Sequence, residues 1–115
     1  MKYMLMFIDD GQGMAQTPEG QAVYARIGEW FGRLNQEGKM VSGEELQPVR
    51  TATTVRLNGG KAVVTDGPFI ESKETVGGFA VIEAADLDEA IEWAKSWPGG
   101  GPVEVRPVVE HSEGM

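Results

Sequence analysis

Asp66, Glu71 and Lys73 are the side chains whose types and spacing come nearest to chemistry in this sequence. They lie in one stretch, Asp66-Gly67-Pro68-Phe69-Ile70-Glu71-Ser72-Lys73-Glu74, set between two apolar runs. A carboxylate beside an ammonium can take part in proton transfer when both are withdrawn from water. On an extended segment Glu71 and Lys73 share a side, and on a helical turn Glu71 and Glu74 do. In solvent the same residues make only a rim ion pair, worth well under ~1 kcal/mol. Gly67-Pro68 is turn chemistry, and Asp66 is expected to accept backbone N–H groups in an Asx turn. Phe69 follows that bend, either as a buried ring or as a ligand contact on a loop held by the scaffold.

A second set supplies polarity and walls. Glu104 and Arg106 share one face of a valine-rich strand. An Arg there needs a partner: Glu104, Asp66, Glu71 or the carboxylate of a ligand. Asp66, Phe69, Arg106 and Trp30 are therefore the expected ligand-binding residues, with Trp30 or Trp93 completing an apolar pocket. Asp66, Glu71 and Lys73 are the expected catalytic set if there is one. Asp9, Asp10, Glu44 and Glu45 can crowd together, and crowded carboxylates raise one another's pKa or take a hard cation. Their spacing matches no metal-binding loop, so neither a metal nor a cofactor is expected. His111, the single histidine, falls in the tail, which removes the commonest general base from the candidates. The serines lie in no G-x-S-x-G elbow, and the pairs Gly59-Gly60 and Gly77-Gly78 do not open helices as phosphate loops do.

The totals narrow the function classes. A chain of 115 residues suits one domain, expected over residues 1–110, with 111–115 as a frayed tail. A net charge of −8 and scattered basic residues argue against direct binding to nucleic acid or to an anionic membrane. With no cysteine, disulfides and thiolate chemistry are excluded. The apolar start from Tyr3 to Ile8 is too short for a secretory signal, and no run approaches the ~20 residues of a membrane span. A soluble, cytoplasmic protein is expected.

The elements that must position these residues follow from pattern. Tyr3 to Ile8, apolar at every position, predicts a central strand covered on both faces. Thr17-Pro18-Glu19 starts a helix whose apolar stripe is Val23, Ile27, Trp30, Phe31 and Leu34, closed by Gly38. Gly28 and Gly32 share a face of it, serving either close packing on the sheet or a ligand lying along the helix. A strand over 39–46 follows. The runs 52–57 and 61–65, joined by Asn58-Gly59-Gly60, predict a hairpin. A strand over 76–83 precedes a helix opened by Asp86, with Glu89 at capping-box spacing and Leu87, Ala90, Ile91 and Ala94 as its core stripe. Val103 to Val109 is the last strand. The order is α+β: the ferredoxin-like βαββαβ pattern with an inserted β-hairpin. The sheet face away from the helices would be bare and apolar, so two copies are expected to pack face to face as a homodimeric α/β barrel.

Motif by motif, the chain resembles the YCII-related family, in particular the branch named for Asp66-Gly67-Pro68-Phe69. The runs that carry this are Met1–Leu5, Val41–Pro48, Ala52–Arg56, Val64–Phe69, Glu71–Glu74, Val76–Phe79, Asp86–Ala90 and Val103–Pro107. The resemblance implies a dimeric α/β barrel with a cleft at the barrel mouth or between protomers. It implies a regulatory or ligand-sensing role linked to extracytoplasmic-function sigma factors for many members. For some relatives in the wider family it implies enzymes working through a His–Asp pair, including a dehydrochlorinase of chlorinated hydroxyquinols; this chain has no histidine at a core position. Three functions follow as expectations. The first is a homodimeric small-molecule-binding or accessory regulatory protein. The second is a small enzyme using acid–base chemistry on an aromatic or carbonyl compound. The third is an interaction module contacting partners through an exposed Trp97 or the hairpin.

Overall fold

Exposure alternates along the first strand with the period of two that strand geometry imposes. In β1 (Lys2–Asp9), Tyr3, Leu5 and Phe7 are buried, while Met4, Met6 and Ile8 on the other face are half-buried. The structure, a computed structural model, describes residues 1–14 and 16–111. After β1 come α1 (Pro18–Gln36), β2 (Met40–Glu45), a short 3-10 turn over Val49–Thr51, β3 (Thr53–Asn58), β4 (Lys61–Asp66), β5 (Thr75–Glu83), α2 (Leu87–Lys95) and β6 (Val103–Pro107). Four strands form one antiparallel sheet in the order β2-β5-β1-β6, and β3 pairs only with β4. Two helices on a mostly antiparallel sheet make an α+β architecture compatible with the expected ferredoxin-like fold. No helix among the described residues is long and apolar enough to cross a membrane.

Local chemistry places both helices. Thr17 Oγ1 accepts the Gly20 N–H at 3.0 Å, with Pro18 in the first turn where its missing N–H costs nothing. The last turn closes with Gly38 N–H donating to Asn35 O and Lys39 N–H to Leu34 O, the Schellman pattern. Asp86 Oδ1 accepts the Glu89 N–H at 2.9 Å. Glu89 reaches back one residue further than a capping box requires: its Oε1 accepts the Ala85 N–H at 2.6 Å, and its Oε2 meets Lys39 Nζ at 2.8 Å. That contact ties the start of α2 to the exit of α1.

The helices cover one sheet face, burying Leu5, Trp30, Leu34, Ala80, Ile82 and Ala90. Of the expected α2 stripe, Ala90 is buried in the core and Ala94 packs against it. Leu87 is exposed, and Trp93 and Trp97 pack against the core instead. Two indoles bury more apolar area than one leucine, so they take the inward positions. The face away from the helices is open, so β1 is central but covered on one side only. Across it run two rows, Ser42-Val81-Met4-Arg106 and Glu44-Phe79-Met6-Glu104, each apolar in the middle and polar at both edges.

The Glu89 link has a pH signature. The Ala85 N–H first, and then Lys39, hold its carboxyl below the ordinary carboxylate range. A depressed folded-state pKa contributes stability that is present above the unfolded value, about 4.3 for Glu, and is lost as pH falls through the folded value. Chemical denaturation of the wild type and Glu89→Gln should therefore show a stability gap at neutral pH that shrinks towards zero at acid pH. A gap independent of pH would assign the loss to packing rather than charge.

Candidate functional site

At the end of the sheet where β1 delivers Asp9, α1 leaves a cavity of about 270 Å³ against the strands. Such a volume lies near the lower end for small-molecule pockets, which run from about 300 Å³ upwards. Phe7, Phe31 and Trp97 contribute an aromatic wall, Ile27 and Gly28 the helix side, and Met14 and Leu46 the loops. The wall is rigid because its rings are interlocked. Phe7 and Trp97 stack at 3.6 Å with 8° between planes, and Trp30 meets both edge-on. Trp30 Nε1 donates to Ser96 Oγ at 2.8 Å, and Ser96 Oγ donates to Trp93 O at 2.7 Å, so the buried indole is satisfied.

Polarity comes from acids and one phenol. Glu45 Oε1 accepts the Tyr24 hydroxyl proton at 2.5 Å. That hydrogen bond, and then the carboxylate's charge, push the Tyr24 pKa above its ordinary value, so the phenol stays neutral. Asp9 Oδ1 accepts from Gly11 N–H at 2.8 Å and from Thr75 Oγ1 at 3.2 Å. Its Oδ2 makes no hydrogen bond among the described residues and lies so close to Gly77 that a Cβ there would stand 1.9 Å away. Gly77 is therefore glycine because the Asp9 carboxylate occupies the place of a side chain. The lining contains no Lys, Arg or His. Asp9, Glu44 and Glu45 do gather here, but no group of three His, Asp or Glu among the described residues is placed to hold a metal ion.

A second, wider groove of about 820 Å³ adjoins the first and shares Asp9, Leu46 and Gly77 with it. The Asp66–Glu74 stretch reaches this groove through Pro68, Phe69, Ile70, Ser72 and Glu74. Phe69 is 62% exposed, with the Arg56 guanidinium 4.7 Å from its ring centroid. Asp66, Glu71 and Lys73 are exposed, line neither cavity and form no ion pair among the described residues. Asp66 makes no Asx turn. The bend is closed by Gly67 N–H on Ala52 O at 2.8 Å and by Thr54 Oγ1 on Gly67 O at 2.7 Å. Asx turns form at Asp9 and Asp10 instead. Arg106 lies on the open sheet face with Glu104 3.7 Å away, both more than half exposed. Trp30 has no exposed surface and belongs to the core behind the wall. Trp97 is half-buried in that wall rather than displayed to partners. His111 is exposed, and the tail beyond it lies outside the described residues.

The residues that sequence reasoning did not assemble are Tyr24, Ile27, Phe31, Trp97 and Asp9. One signal was present. Gly28 and Gly32 lie on one helix face, and a Cβ at either would meet nothing within 4 Å. Close packing on the sheet is therefore not their reason. Gly28 opens onto the cavity, and Gly32 does not.

Comparison with known proteins points the same way as the motifs. The model of the YCII-related domain matches residues 1–112. An uncharacterised protein of Rhizobium meliloti (strain 1021) is 39% identical over 83 residues, covering 69% of this chain and 67% of its own.

The two helix glycines give a paired test of the cavity. Replacing Gly by Ala in a helix gains about 1 kcal/mol where the methyl meets no clash. Gly28→Ala and Gly32→Ala should both raise the denaturation midpoint by a similar amount. Only Gly28→Ala should weaken binding of a small molecule in the cavity.

Proposed function

This chain belongs to the YCII-related family, and from that premise we propose that it is a homodimeric small-molecule-binding protein whose ligand sits in the cavity beneath Tyr24 and Glu45. The observation that carries the reading is the cavity's construction: a preformed aromatic wall with few polar groups, of which Asp9, Tyr24 and Glu45 are oriented by hydrogen bonds. Small-molecule sites have this composition. Proton-transfer chemistry has less support, because Asp66, Glu71 and Lys73 are exposed and form no ion pair among the described residues. A lining with Asp9 and Glu45 and no cation repels anionic ligands and favours neutral or cationic ones with an apolar body. The ligand-sensing role linked to sigma factors, which the motif resemblance implies, suits a binder of this kind.

The open sheet face supports the dimer. Met4, Met6, Phe79 and Val81 form its centre, with Glu44, Glu104 and Arg106 on the edge strands and Lys2 and Glu83 at one end, the pattern of an interface core with a polar rim. Two such faces laid together form a closed barrel of two sheets with the helices outside.

Native mass spectrometry of freshly purified protein should show the dimer mass with a small-molecule adduct. Ile27→Trp, which fills the cavity from the helix side, should lose the adduct and keep the dimer. In thermal-shift titrations benzylamine should stabilise the protein more than benzoate does. An adduct that survives Ile27→Trp, or no response to either probe and no adduct, would overturn the assignment of this cavity.

A further inference from the structure

The β3–β4 arm is an amphipathic hairpin with nothing under its apolar side. Its register pairs Val55 with Val64 and Leu57 with Ala62, so these four share one face, while Thr54, Arg56, Asn58, Lys61 and Thr65 lie on the other together with Val63. Leu57 is 82% exposed and Val64 65%. At its base the two limbs of the arm are closed on each other through Ala52, Thr54 and Gly67, and the arm packs extensively against no other strand or helix. An isolated two-stranded ladder is at best marginally stable in water. An apolar face that covers nothing within the chain calls for a covering surface.

The shape of the molecule agrees. Its extents are 48 × 45 × 18 Å and its radius of gyration 16.3 Å, whereas a compact chain of this length would come near ~13 Å. So does its charge. The arm, residues 53–66, carries Arg56 and Lys61 against the single Asp66, a net charge of +1, and the remainder of the chain carries −9, which together make the total of −8.

From these observations we infer that the arm reaches past its own sheet and docks its apolar face on a second copy of this chain. The occupant is a second copy for two reasons. The anionic body attracts the cationic arm across the interface while the net charge of −8 repels polyanions. The open sheet face is a second unpartnered apolar surface on the same molecule, so one association covers both. This inference rests on the dimer reading above and adds to it that the arms embrace the partner.

The absence of native cysteine allows a clean test. Leu57→Cys and, as a control, Lys61→Cys are each labelled with an environment-sensitive fluorophore and diluted through the dimer–monomer transition, which is followed by sedimentation. The Leu57 label should emit at shorter wavelength in the dimer and shift to the water-exposed value on dilution, while the Lys61 label changes little. The double variant Arg56→Glu/Lys61→Glu should dimerise at least tenfold more weakly at low salt, with a smaller difference at high salt. Near-UV dichroism from the Trp30 cluster should be unchanged in every variant, because the arm lies apart from it. A dimer in which the Leu57 label stays water-exposed at all concentrations overturns the arm inference and leaves the dimer standing. A protein that sediments as a monomer throughout overturns both. A blue shift that appears only when a different protein is added assigns the arm to that partner and also overturns the inference.

Discussion

The contact on which the rest depends is the stack of Phe7 on Trp97. The rings are nearly parallel with centroids 3.6 Å apart, closer to a face-to-face sandwich than the offset arrangement aromatic quadrupoles prefer. Intrinsic ring attraction therefore does not set this geometry; the surroundings do. Trp30 closes one side edge-on, anchored through Ser96. Gly99 closes another, where any Cβ would stand 2.7 Å from the Trp97 indole nitrogen. The stack fastens the end of α2 to β1, and Trp30 fastens α1 to both. With the two helices held in this way, the end of the sheet beneath α1 cannot collapse, and the cavity is what remains.

A second close approach fixes the cavity's polar edge. Asp9 stands where the sheet ends, its Oδ1 held by Gly11 and Thr75 and its Oδ2 seated over Gly77. A backbone N–H in the turn at Gly11 and the hydroxyl of Thr75 at the start of β5 together place the carboxylate. Asp9 also borders the wider groove, and the two depressions adjoin along Asp9, Gly13, Leu46 and Gly77. The Phe69 stretch is thus connected to the cavity, although most of its charged side chains are not.

How much of this was legible in the sequence depended on how local the determining physics was. Helix starts at Thr17 and Asp86, the two-residue turn at Gly59-Gly60 and the alternation of β5 are decided by a few neighbouring residues, and all appear where pattern placed them. The phase of α2 is not local. Leu87 and Trp97 both fit an apolar stripe, and only the position of Phe7 across the sheet decides which turns inward. Trp30 was legible as apolar but not as inaccessible, since a tryptophan on a stripe reads alike whether it walls a cavity or backs the wall. The site itself needed three separate elements to converge. The helix glycines hinted at it, and their simpler explanation, packing, is removed by the open space beside them.

The stretch densest in turn and charge residues performs mainly the task its turn chemistry describes. Gly67 has φ of +103°, a region that side chains disfavour, and the Ala52 carbonyl and Thr54 hydroxyl hold its peptide groups on either side. Pro68 then removes a donor and limits the next step of the chain. Together they fix the direction in which the chain leaves β4 and re-enters the sheet. Because β3 and β4 have no other firm anchor, that bend also sets the angle at which the arm projects from the body. Phe69, lying under Arg56, carries the constraint one residue further into the arm. Asp66 makes no Asx turn because the residue two positions on, whose N–H such a turn needs, is Pro68, which has none. The motif therefore fixes the bend at the base of the arm, and it meets the cavity region only through the groove that Phe69 borders.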